Sequence, residues 1–160
     1  MAKYTLSNND DELDFALIGI SCSEEQYTTA ALLDRALSIQ LVLSDYIPLT
    51  LKENKIFQFS LYQFMDEQLG LEYNFIPNLS NFEPPHEMTA GRDLFSEVDV
   101  EERTRLIKEL PRTDYLLLLR GEELQHSVLL ITELLRQCPE LSQISPLSPR
   151  DLPSRRNLIF

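Results

Sequence analysis

The chain has no tryptophan, two cysteines, two histidines and four glycines among 160 residues, and 14 basic side chains against 26 acidic ones. Each scarcity removes a class of chemistry. Cys22 and Cys138 alone cannot build a disulfide scaffold, and free thiols are expected. The histidines, His86 and His126, belong to no HExxH pattern, and there is neither a CxxC pair nor a carboxylate-rich calcium loop. The sequence therefore indicates no bound metal and no histidine triad. His126 falls off the centre of an apolar helical face, and His86, between Glu83 and Glu87 in a loop, reads as a solvated residue. Gly19 belongs to no GxGxxG or Walker pattern, so no phosphate cradle and no cofactor are indicated. No apolar run is long enough to span a bilayer, and the opening MAKYTLSNNDDELDF has one Lys and no apolar core region, unlike a secretory signal. A net charge of −12 repels phosphate backbones and anionic lipid surfaces, which argues against nucleic-acid and membrane partners. A cytoplasmic location is expected. The acidity serves solubility or, in a sharper reading, offers an acidic face to a basic partner.

What is present is an ordinary globular balance, 43% hydrophobic and 25% charged, enough for one core. Residues 1–13 read as a flexible acidic arm, 14–149 as a single α+β domain with an irregular loop at 77–98, and 150–160 as a C-terminal tail docked on the domain. Phe15 to Ile20 is apolar enough for a central strand. Ser23-Glu24-Glu25-Gln26 has the form of a capping box opening a helix to about Leu37, with Ala30 and Leu33 facing the sheet. Alternation predicts a strand over Ile39, Leu41 and Leu43, ended by Asp45-Tyr46-Ile47-Pro48. It predicts a hairpin from Phe57, Phe59 and Leu61 to Leu71, Tyr73 and Phe75. Tyr62 and Phe64 fall on the face opposite Phe57 and Phe59. Asp99 is placed to cap a short helix reaching Glu109. Tyr115 to Leu119 then forms a strand buried on both faces. Leu124, Val128, Ile131 and Leu135 make one face of a helix over about Glu122 to Gln137, and Leu141, Ile144 and Leu147 suggest an edge segment. The expected architecture is α+β: a mainly antiparallel sheet of about five strands, two main helices packed on one face, ferredoxin-like in character.

One pattern stands out before the buried strand. Ile107-x-Glu109-x-x-x-Thr113-Asp114-Tyr115 resembles the signature of the IPExxxVDY proteins, a small bacterial family. Ile107, Glu109, Asp114 and Tyr115 match in register; Lys108 stands in place of Pro and Thr113 in place of Val. DFALIGISCSEEQYTTAALLDRAL and the closing Asn157-Leu158-Ile159-Phe160 are also similar, while residues 78 to 105 are least so. The resemblance implies a bacterial protein and brings no activity, cofactor or catalytic residue with it.

Two readings of the signature stay open. Asp114 fixes the turn into the strand while Tyr115 buries its ring, or the pair joins Glu109 in lining a pocket or contacting a partner. Cys22, between a strand and a helix start, is the one candidate for a reactive thiol, set against an inert buried one. No catalytic constellation is present. The first expectation is a non-catalytic binding protein with an unidentified protein partner or a homodimer. The alternative is a small-molecule sensor or minor enzyme with a pocket between the 77–98 loop and the 113–119 strand.

Overall fold

A computed structural model describes residues 14–51, 54–81 and 103–160. The elements are β1 (Ala16–Ser21), α1 (Gln26–Leu37), β2 (Val42–Thr50), β3 (Ile56–Asp66), β4 (Leu71–Pro77), β5 (Tyr115–Gly121), α2 (Leu124–Arg136) and β6 (Gln143–Leu147), followed by 3-10 turns at Pro149–Asp151 and Pro153–Leu158. The strands form one sheet in the order β2-β3-β4-β5-β1-β6, and every neighbouring pair is antiparallel. The fold is α+β, as expected, with six strands rather than about five.

The run of leucines in β5 explains its central position. Leu117 lies between Phe75 and Ile18, and Leu116 between Ile76 and Gly19. Because strand side chains alternate, such a run feeds two cores at once. On one face Ile18, Ile20, Tyr73, Phe75, Leu117 and Leu119 meet Ala30 and Leu33 of α1 and Ile131 and Leu135 of α2. On the other, Leu17, Phe59, Leu61, Ile76, Leu116 and Leu118 meet Leu106, Ile107, Leu152 and Leu158. The second face is thus covered by the segment leading into β5 and by the C-terminal turns. Tyr62 and Phe64 pack on the helix side, against Phe75 and Tyr73.

Three local expectations are corrected. Asp45 to Pro48 does not end β2 but runs through it. The Gln58 carbonyl accepts from the Asn81 N–H at 2.8 Å, so it points away from β2. Pro48, opposite Gln58, therefore turns its hydrogen-free nitrogen to the open edge, where no ladder bond is lost. Ser23 does not cap α1: Glu25 takes the N-cap position without a side-chain bond, and Gln26 instead bonds Ser60 of β3. Residues 103–109 are not helical. The arm at 1–13, Asp99, His86 and the loop beyond Asn81 lie outside the described residues; Pro77 itself closes β4.

Both sheet edges are blunted. In β2 the outward Tyr46 N–H is held by the Asp45 carboxylate at 2.7 Å, one step from Pro48. In β6, Pro146 lacks a donor and the Ile144 carbonyl accepts from Arg136 at 3.2 Å. These features reduce the unpaired groups on which another strand could template.

Candidate functional site

The signature stretch crosses the end of the sheet between Arg105 and Tyr115, and each matched residue is spent on a different neighbour. Ile107 is fully buried in the second core, and its N–H is donated to the Asn78 side chain at 2.8 Å. Glu109 accepts from the Ser154 hydroxyl at 2.7 Å, fixing the C-terminal turn. Asp114 accepts from the Cys22 N–H at 2.9 Å, and its own N–H is donated to the Ile20 carbonyl at 3.0 Å. Tyr115 stacks at 5.2 Å from Phe75, and its hydroxyl is donated to the Glu24 carbonyl at 2.5 Å. Asp114 and Tyr115 together therefore hold the connection from β1 to α1. Thr113 fits over Gly19, where an added Cβ would lie 3.3 Å from the Thr113 methyl and 3.0 Å from Leu147.

The four residues singled out by sequence do not form one site. Asp114, Tyr115 and Cys22 converge on the β1–α1 connection, whereas Glu109 belongs to the opposite side of the sheet with the C-terminal turns. Glu109 and Tyr115 thus do not line a common cavity. The Cys22 thiol is 4% exposed, receives the Thr29 hydroxyl at 3.5 Å and is donated to the Glu140 carbonyl at 3.5 Å. It lies four residues before α1 begins, and both of its contacts are made within the fold. Among the described residues, no three His, Cys, Asp or Glu side chains gather as metal ligands. No described helix is long and apolar enough to cross a membrane.

Sequence reasoning missed the residue on which the stretch hangs. Asn78, just past Pro77, is completely buried. Its amide donates to the carbonyls of Leu110, Thr113 and Ile107 at 2.9, 3.1 and 3.4 Å, and its oxygen accepts from the Ile107 N–H. Its backbone N–H and carbonyl bond Asp114 and Leu106, each at 2.8 Å. A short polar side chain is needed because the segment is neither helix nor strand and its peptide groups are buried. A second knot joins α1 to the sheet: Gln26 and Asn81 both reach Ser60.

Burial pushes the phenols of Tyr115 and Tyr73 above their ordinary value; next to Tyr115, Cys22, Asp114 and Glu25 add to the effect, and beside Tyr73 Asp66 does so. The folded state therefore holds these protons more tightly than the unfolded chain. The stabilisation is complete below the unfolded value of about 10 and is lost as pH rises through the folded values. Absorbance at 295 nm on alkaline titration is expected to show a late-ionising fraction that includes Tyr73 and Tyr115, together with loss of near-ultraviolet dichroism. Tyr115→Phe should flatten that pH dependence. A titration without a late fraction, with the fold intact, would contradict the burial argument.

Two open depressions flank the helices. One of about 240 Å³ lies between the helix C-termini at Arg35, Cys138 and Glu140. The other, of about 780 Å³, lies beside the start of α2 at Asp14, Gly121, Glu123, His126 and Leu129. Neither is lined by the signature residues. Comparison with protein-family models, curated proteins and solved structures finds no match for this chain.

Proposed function

We propose that this is a non-catalytic, cytoplasmic interaction protein of the IPExxxVDY family, and that it docks a basic protein partner on the outer β2–β3 hairpin. The observation that carries the reading is a contrast. The polar groups of the signature are engaged within the fold, while Leu43, Tyr46 and Ile56 stand 43%, 47% and 50% exposed on the hairpin. Leu43 and Tyr46 face the same side as their partners Tyr62 and Ser60, and Ile56 shares that side by alternation. They lie on the face that α1 reaches at Ser60, and their own side chains stay exposed. Exposed aromatic and aliphatic side chains grouped in this way mark contact surfaces. The net charge of −12 favours a partner with Lys or Arg around an apolar anchor.

The support for family membership is the match at Ile107, Glu109, Asp114 and Tyr115. A ferredoxin-like core is part of the same reading: β4-β5-β1-β6 with α1 after β1 and α2 after β5 follows the β-α-β-β-α-β scheme, and β2–β3 is then an added hairpin. The test is affinity capture from bacterial lysate with wild type and a Tyr46→Asp/Ile56→Asp variant. A basic protein retained by the first, lost by the second and released by salt is the expected result. Equal retention by both would remove the hairpin from the account.

A further inference from the structure

The outward face of α2 has no role in the hairpin reading, and it carries an independent pattern. Ile131, Thr132 and Leu135 are buried and Leu124 and Val128 partly so, which leaves His126, Leu129, Leu130 and Glu133 along the centre of the solvent side. Leu129 and Leu130 are 66% and 53% exposed, adjacent and unshielded. Leucines in that setting lose stabilisation that burial would restore.

The charges around them identify the occupant. Glu123 lies at the start of the helix, His126 one turn in, Glu133 one turn past the leucines and Arg136 at the end. We propose that α2 is a self-association face, seated antiparallel on α2 of a second copy across a two-fold axis between Leu129 and Leu130. That register sets Leu129 against Leu130 of the second copy. It sets His126 against Glu133, and Arg136, which keeps one guanidinium nitrogen on the Ile144 carbonyl, against Glu123, each pair occurring twice, as an isologous interface requires. The face carries both signs in mirrored order, so it suits its own copy better than a uniformly basic or acidic surface. The depression beside Leu129, walled by Asp14, Glu122 and Glu123, lies where Arg136 of the second copy would enter. Antiparallel helix dipoles add in the same sense. Pairing through a sheet edge is disfavoured by Pro48 and Pro146, so a dimer must use a face. A single helix per chain buries less than a standard interface, so the dimer is weak and reversible.

Sedimentation of the full chain is the test, over roughly 10 μM to 1 mM protein, the range in which a small interface populates a dimer. Wild type is expected to pass from monomer to dimer across it. Leu129→Glu/Leu130→Glu, at exposed positions that leave the far-ultraviolet dichroism unchanged, should weaken association at least about tenfold. Arg136→Glu should weaken it too, and adding Glu123→Arg to Arg136→Glu should restore it. A wild type monomeric throughout overturns the proposal, as does a dimer that keeps its strength in the leucine variant or in Arg136→Glu, or one that the charge exchange does not restore.

Discussion

Replacing Asn78 by Ala is expected to destabilise the protein by about 3 kcal/mol, because the buried Ile107 N–H is orphaned at a cost of roughly 1–3 kcal/mol and the carbonyls of Leu110 and Thr113 lose the shorter of their two hydrogen bonds. The loss is large against the 5–15 kcal/mol that typically separates folded from unfolded domains. The Ile107 N–H has no solvent to turn to, since Asn78 and Ile107 are completely buried, whereas the carbonyls of Leu110 and Thr113 keep longer bonds from the Thr113 N–H at 3.3 Å and from Arg105 at 3.4 Å. Asn78→Asp should cost at least as much: the acceptor for Ile107 survives, but a carboxylate would face three carbonyls. Urea unfolding followed by dichroism reads the effect as a lower midpoint. In a domain of this length 1 kcal/mol moves the melting temperature by about 2–4 °C, so a shift near 10 °C is expected. A midpoint within about 1 kcal/mol of wild type would mean that the signature stretch does not depend on Asn78.

Gly121→Ala is expected to cost about 3 kcal/mol or more, whereas Gly70→Ala, in the same corner, should cost about 1 kcal/mol. The two glycines meet where the β3–β4 turn abuts the end of β5. Gly121 has φ +148°, and a Cβ there would fall 2.4 Å from the Gly70 carbonyl oxygen and 3.3 Å from the Leu71 Cα. Both obstacles are backbone, so relief requires opening the Leu71–Gly121 end of the β4–β5 ladder. Gly70 has φ +60° with open space around its Cα, so Ala there bears only the conformational cost. Thermal unfolding of the two variants side by side separates clash from conformation. Equal shifts would show that the Gly70–Gly121 approach is looser than described.

Much of the fold was legible because alternation and helical spacing report burial directly. Leu116 to Leu119 marked a strand covered on both faces, and Leu124, Val128, Ile131 and Leu135 marked the inner face of α2. The misreadings share a cause: a local signal was outweighed by a distant partner. Pro48 signals a strand end only if its nitrogen faces a neighbour, and at an open edge it does not. Ser23 and Gln26 fit a capping box, but Ser60, distant in sequence, claims the Gln26 side chain. The Glu109 carboxylate seemed to belong with Asp114 five positions on; the chain turns at Leu110 to Thr113, and the two residues serve opposite sides of the sheet. Asn78 carried no signal, since an Asn after Pro looks like any turn residue until its burial is known.

The central claim is that the signature residues maintain the fold while contact with a partner is made elsewhere. Unfolding free energy and partner retention, measured together on Asp114→Ala and Tyr46→Asp/Ile56→Asp, test it most directly. Asp114→Ala removes a carboxylate acceptor from the Cys22 N–H and should lower stability by about 2 kcal/mol, while the folded fraction still retains partner. The hairpin variant should unfold within about 0.5 kcal/mol of wild type and retain none. The reverse pattern, full stability with lost retention for Asp114→Ala and unimpaired retention for the hairpin variant, would contradict the account and make the entry to β5 the binding site.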